Sequence, residues 1–486
     1  MAPTRRLTVQ SLSRQASSAQ VLVQGMAAIS AAFKLPAEFP PEVEAAATQA
    51  AAQPRLPALD RSDLALVTID PPGSMDLDQA LLVEHREGGY RVYYAIADVA
   101  AFVSAGDALD LETNRRGETL YGADSKIPLH PKVLSEGAAS LLPDQLRPAL
   151  LWTIELDASG EIAMIDVRRA RVRSRARLDY LGVQQRIDAG DAEPMWAVLR
   201  EIGELRKQRE QQRGGISLPL PEQEIGVAED GQWTLSFRAR HPVEDWNEQI
   251  SLLTGMAAAQ LMMRAKVGLL RTLPAPEPTA IARLRRTAAA LQLAWPDAQA
   301  YPDFIRSLDP AQSRHIAMMV ACTSVLRGAA YAAFDGDLPA QPLQWALAAP
   351  YAHATAPLRR LADRYVGEIC VAVCAGTTIP DWARQALPGL PATMQAADHR
   401  ANGYERAVIE LAEAEALAAR VGERFSGSIV EIEQGGSATR GTVMLHGLAI
   451  EAKVSASTSL PLGADVQVVL VEADPLTRVV RFELAG

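Results

Sequence analysis

Three aspartates, Asp70, Asp76 and Asp78, fall within nine residues of an otherwise apolar segment, TIDPPGSMDLDQAL (residues 68–81). Carboxylates this close repel one another unless a cation or basic groups compensate. The chain must therefore fold to give them water or a counter-charge. Asp76 and Asp78 alternate across Leu77, so in an extended segment they share one side while Leu77 faces the core. Asp70 closes a run of strand character, and Gly73 in the intervening PPGSM gives the backbone freedom to turn back. Two arrangements satisfy this spacing. One is an acidic floor that holds a hard cation such as Mg²⁺; the other is a solvated turn between two strands. An EF-hand calcium loop fits less well, because Asp-x-Asp runs on into Gln79-Ala80 and lacks the Gly and distal Glu.

At 486 residues the chain allows one large domain with one or two small ones attached. No apolar run reaches the roughly 18 residues of a membrane span, and no cleavable secretory signal is read, so the expected location is cytoplasmic. Cys322, Cys370 and Cys374 make no disulfide framework or metal-ligand pattern and are expected to pack in the core. The net charge of −10 is spread unevenly: residues 1–60 carry five Lys/Arg against four Asp/Glu, and residues 425–486 carry four against seven. No domain is basic as a whole, so a nucleic-acid partner would need a local basic channel.

Apolar periodicity predicts helices over 20–34 and 40–52, the second opening at Pro41. From Leu64 the pattern changes to strands. A hairpin is predicted to turn at 87–89, and a second strand pair, 150–156 and 162–172, flanks a turn at 157–160. Helices are predicted over 194–213, 246–267, 278–291, 310–333, 356–375 and 397–421. The tail returns to five short strands with Gly at the turns, the pattern of a small barrel. The fold class is thus α+β and multidomain: a small helical module over 1–60, possible as helix-turn-helix, a large domain over 61–424, and a five-stranded OB-type barrel over 425–486.

A second constellation is YAHATAPLRR, residues 351–360. Pro357 after Thr355 suggests a helix start, which would put Arg359 and Arg360 in a first turn where cations oppose the helix dipole. A phosphate held by guanidinium forks accounts for them, and so does a surface salt bridge. Arg5 and Arg6 could likewise touch phosphate or be merely solvated at an exposed terminus.

Together these segments resemble the RNB catalytic domain of the ribonuclease II/ribonuclease R family. The resemblance is carried by TIDPPGSMDLDQAL, by AIADVAAFVSAGDALDLETNRRGETLYGADSKIPLHPKVLSEGAASLLP, and then by RGGISLPLPE, NEQISLLTGMAA and YAHATAPLRR in the family's order. The tail resembles the family's S1-type RNA-binding barrel. The resemblance implies mixed sheets and helices around a deep channel, and a 3′-to-5′ hydrolytic exoribonuclease. Such an enzyme would degrade RNA from a single-stranded 3′ end to nucleoside 5′-monophosphates with one or two Mg²⁺ (or Mn²⁺) ions. It implies that Asp70, Asp76 and Asp78 are catalytic metal ligands with Gln79 in the place of a fourth aspartate. It further implies that Tyr121 stacks on the 3′-terminal base, Glu248 contacts the terminal ribose, and Arg359 holds the scissile phosphate with Arg360 beside it. No feature suggests a membrane or an oligomer, so a monomer acting on RNA is expected.

Gln79 is the main departure. Its amide oxygen can ligate a hard cation, but the site loses one negative charge. It keeps open an alternative, a catalytically impaired RNA-binding or scaffold protein of the same fold. Ala95, Ala356 and Leu361 stand where the family often has His, Ser and Tyr. Phe237 and Trp246 are candidates for a second stacking aromatic or for core packing, and Phe425, His446 and Phe482 are the candidate exposed aromatics of the tail.

Overall fold

The computed structural model describes residues 17–36, 38–122, 126–218, 222–227, 233–238, 240–433, 438–448 and 450–485. Arg5 and Arg6 lie outside them, as does the side chain of Phe237.

Seven strands organise the region around the aspartates: β1 (Leu66–Asp70), β2 (Gln79–Arg86), β3 (Gly89–Ala97), β4 (Leu120–Tyr121), β5 (Lys126–Ile127), β6 (Leu146–Asp157) and β7 (Ile162–Asp179). β1, β2, β3, β6 and β7 form a closed barrel in that order. The two predicted hairpins are present. β2 and β3 pair with Glu84 opposite Arg91, and Gly88 supplies the positive φ of 76° that the tight turn requires. The barrel closes where β1 runs parallel to β7, Asp70 opposite Asp179. Trp152, Ile154 and Val92 are fully buried in its core, joined by Ile250 and Leu253 of the helix Pro242–Ala265 and by Val366 and Ile369 of the helix Leu361–Ala375. Trp246, 4% exposed, belongs to this core and is not a stacking surface. Cys322 and Cys370 are buried, and all three cysteines are free.

The predicted helix 397–421 runs over Leu390–Leu417, and three others have different bounds for tertiary reasons. The helix Pro242–Ala265 stops one residue before Lys266, whose left-handed conformation (φ 57°) turns the chain into the strand Val267–Thr272. That strand pairs with Ala330–Asp335, which removes those residues from the predicted helix 310–333 and leaves Ser313–Cys322. The helix expected from 356 begins at Leu361; Arg360 is its N-cap with extended backbone (φ −134°, ψ 126°).

The two N-terminal helices serve different cores. Ser17–Ala32 sets Met26 and Ile29 against the long helix Leu390–Leu417, with Gly25 against Leu411. Pro41–Ala52 packs Val43 and Ala47 with Leu64, Leu66 and Leu77 beside the barrel. The tail forms a second closed barrel, Arg424–Ile432, Arg440–Leu445, Glu451–Ser455, Val479–Leu484 and Asp465–Asp474 in spatial order. Phe425 and Phe482 lie in its core, their rings edge to face with centroids 5.6 Å apart. They are therefore not exposed platforms; alternation along a closed barrel points them inward. His446 is exposed and bonded to Ser428.

Candidate active site

β1 delivers Asp70 at its C-terminal end, and residues 71–74 turn back with Ser74 N–H donating to the Pro71 carbonyl at 3.2 Å. Gly73 takes φ 83° in this turn. Ser140 fixes the return: its hydroxyl donates to the Met75 carbonyl at 2.6 Å and accepts from Leu77 N–H at 3.0 Å. Leu77 is fully buried, so Asp76 and Asp78 turn to its other side as the alternation requires.

The segment 351–360 lies directly against this loop. Asp78 Oδ1 accepts from Leu358 N–H at 2.8 Å, and its Oδ2 stands 3.6 Å from Arg359 Nε. Gln79 Nε2 donates to the Thr355 carbonyl at 2.5 Å, and Thr355 is held in turn by Ser251 at 2.9 Å. Arg359 and Arg360 stand ahead of the helix Leu361–Ala375, not in its first turn. Their N–H groups fold back to the Ala356 carbonyl, while Asp363 accepts from Ala356 N–H at 2.7 Å and takes both Nε and Nη2 of Arg360 at 2.9 Å. Arg360 thus shapes the turn, and Arg359, with 42% of its side chain exposed, is presented by it.

The segment Gly117–Thr119 clamps the same turn: Thr119 N–H donates to the Arg359 carbonyl and Leu361 N–H to the Gly117 carbonyl, each at 2.9 Å. Two residues on, Tyr121 is 39% exposed. Leu358 is further fixed by the buried His130, whose Nδ1 lies 3.1 Å from its carbonyl. Burial pushes that imidazole down to about 4, so it is neutral with its proton on Nδ1. Glu248 sits one helical turn before Ser251 and is paired with Arg240 at 2.8 Å, so it borders the site without reaching the aspartates through a direct bond.

Sequence reasoning missed Lys126. It stands opposite Tyr121 in the β4–β5 pair, and its ammonium lies 2.7 Å from Asp76 Oδ1 and 3.0 Å from Glu136. Its signal was a single cation in the short hairpin that follows Tyr121. Lys126 compensates Asp76, whereas burial raises Asp70 to about 6 and Asp78 to about 8, opposed by Arg359 and reinforced by Asp76. Among the described residues no three His, Cys, Asp or Glu side chains converge on one metal-sized point. The donor set nonetheless suits a hard divalent cation. Asp78 is buried and Asp70 partly buried, both are short of positive charge, and carboxylate oxygens are the ligands Mg²⁺ prefers.

A closed barrel packed against helices and followed by a second, five-stranded barrel has counterparts among known proteins. Residues 59–375 match the RNB domain, and residues 423–485 match the RNase II-type exonuclease C-terminal S1 domain. The chain belongs to the RNB family. Ribonuclease R of Escherichia coli is 32% identical over 320 residues, 63% of this chain but only 39% of that protein. The chain therefore spans well under two thirds of the length of such relatives. Among solved structures, Mycoplasma genitalium RNase R in complex with ribose methylated single-stranded RNA superposes with a TM-score of 0.84 at 20% identity, covering 96% of this chain and 78% of that one. Yeast Ssd1, a pseudonuclease, gives 0.69 at 16% identity, covering 89% and 55%. These likenesses fix the fold. No helix among the described residues is long and apolar enough to cross a membrane.

Proposed function

We propose that this protein is a 3′-to-5′ exoribonuclease that hydrolyses RNA from a single-stranded 3′ end to nucleoside 5′-monophosphates. One observation carries the reading: the buried Asp78 and the partly exposed Arg359, 281 positions apart, stand 3.6 Å from one another, with Asp76 close enough to act on Asp78 and Arg359 close enough to act on Asp70. Opposite charges so arranged bracket a phosphodiester. In this reading Asp70, Asp76 and Asp78, with the Gln79 amide oxygen, would hold Mg²⁺ (or Mn²⁺), which would supply an activated water and charge stabilisation at the leaving oxygen. Arg359 neutralises charge gathering on the phosphorus oxygens. Arg360 and Asp363 keep Arg359 in position. Tyr121 offers a face on which any terminal base can stack, and Glu248 accepts from the terminal ribose, which distinguishes RNA from DNA. We place the protein in the cytoplasm as a monomer.

A second reading, an RNA-binding protein with an impaired site, is favoured by two features: Gln79 in place of an acid and Lys126 on Asp76. Incubation of 5′-labelled single-stranded RNA with Mg²⁺ separates the two. Stepwise shortening from the 3′ end by the wild type, lost in Asp78→Asn, supports the nuclease. Binding without shortening, with activity gained only in Gln79→Asp, supports the impaired site.

A further inference from the structure

Residues 167–178 read VRRARVRSRARL: six of the twelve are arginine and none is acidic, in a chain of net charge −10. They lie on β7, an 18-residue strand. Alternate side chains on a strand share a face roughly 6.6 Å apart, so Arg171, Arg173, Arg175 and Arg177 form one outward row. Val172 and Ser174 between them are buried. The pairing of β7 with β1 shifts by one residue at Arg175, yet exposure alternates through it, with Arg173, Arg175 and Arg177 all exposed.

The row leads to the acidic site. At its end Arg177 donates to the Ser74 carbonyl at 3.3 Å, within the turn that joins Asp70 to Asp76. Counter-charge along it is thin: Asp60 lies 3.2 Å from Arg171, and Glu193 pairs with Arg175. Both are exposed pairs of the kind that yield readily to a competing anion. Arg173 shares the Asp60 carboxylate only at longer range, through its charge. A row of guanidinium groups separated by the buried Val172 and Ser174, with exposed apolar surface only at its Arg177 end where Met75 lies, matches a repeating polyanion better than the folded surface of a protein partner.

We propose that this row is a second RNA-binding track, which takes the phosphate backbone of a single-stranded segment outside the catalytic site. The proposal rests on the exoribonuclease reading only for its choice of RNA as the polyanion. It adds electrostatic affinity without sequence preference, since phosphates carry no base information.

The test is Arg173→Glu with Arg175→Glu, and the neutral pair Arg173→Ser with Arg175→Ser. Binding of 5′-fluorescein RNAs of about 8 and about 25 nucleotides is measured in EDTA across a salt series, and shortening of the 8-mer is measured with Mg²⁺. The expected result is a dissociation constant for the 25-mer raised about tenfold by the Glu pair, less by the Ser pair, and a shallower salt slope, as about two phosphate contacts are lost. Binding and shortening of the 8-mer stay unchanged. Equal weakening of both lengths, or no change for the 25-mer, overturns the track; no change would leave the row to an acidic protein surface. If the wild type shortens no RNA yet the length-dependent loss appears, the track stands and the nuclease reading falls.

Discussion

The main-chain N–H of Leu358 donates to Asp78 Oδ1 at 2.8 Å across 280 positions of sequence. This bond ties the acidic loop to the arginine turn and partly offsets the burial that disfavours the Asp78 anion. It also leaves Arg359 uncommitted, since 3.6 Å to Oδ2 is too long for a hydrogen bond. A guanidinium close enough to feel the carboxylate, yet free to rotate onto a phosphate, is what a phosphodiester site needs.

Asp78→Asn tests that relationship. The asparagine oxygen can still accept from Leu358 N–H, so the turn stays docked while the charge is lost. RNA cleavage should fall by at least about a hundredfold, with RNA affinity within about twofold and a melting temperature no lower than that of the wild type. A variant that melts markedly earlier and also loses RNA binding would assign Asp78 to the fold instead.

The raised acidities predict a pH dependence. Asp70 at about 6 and Asp78 at about 8 hold protons in the native state that the unfolded chain gives up near 3.8. Their contribution is fully present below that ordinary value and is lost as pH rises to about 8, so the metal-free protein should melt earlier at pH about 8.5 than at about 5.5. A divalent cation must displace these protons. The rise in melting temperature on adding Mg²⁺ should therefore grow over the same window, and a rise independent of pH would show that neither group is a ligand.

Local patterns were legible in the sequence, and long-range pairings were not. The helix Pro194–Arg213 is bounded by Pro and Gly214 and forms over its predicted residues. The five tail strands form as predicted, with Gly447 and Gly463 in turns between them, although the last turn, 475–478, has no glycine and uses Arg478 at φ 56°. Leu77 buries and Asp76 and Asp78 turn away from it, as simple alternation dictates. The parallel closure of β1 on β7, by contrast, joins residues more than a hundred apart with no local signal. Ala330–Asp335 is strand only because Val267–Thr272 offers it a partner, whereas its alanines read as helix. Arg360 could be placed only by knowing that Asp363 reaches back to bind both it and Ala356.

Gln79→Asp is not a simple restoration of an acid. Gln79 donates to the Thr355 carbonyl, and an aspartate would set a carboxylate against that oxygen with no proton to share. In EDTA the variant should be less stable by about 1–2 kcal/mol. Saturating Mg²⁺ should narrow the gap, because the added charge binds the cation. Calorimetric titration should show tighter Mg²⁺ binding than in the wild type; unchanged affinity would mean that residue 79 only ties β2 to the 351–360 segment.

Lys126 makes the sharpest demand on the metal reading. Its ammonium occupies Asp76 Oδ1 at 2.7 Å and bridges to Glu136 at 3.0 Å, so a divalent cation approaching Asp76 must displace or share that contact. Lys126→Met keeps much of the side-chain length and removes the charge. Without metal, Asp76 and Glu136 then face one another uncompensated, and the variant should melt below the wild type in EDTA. With the competitor gone, Mg²⁺ should bind several-fold more tightly, by about 1 kcal/mol, and the melting difference should close as Mg²⁺ is added. Weaker Mg²⁺ binding in Lys126→Met would reverse the assignment: the lysine would then serve to hold Asp76 in the geometry the cation requires.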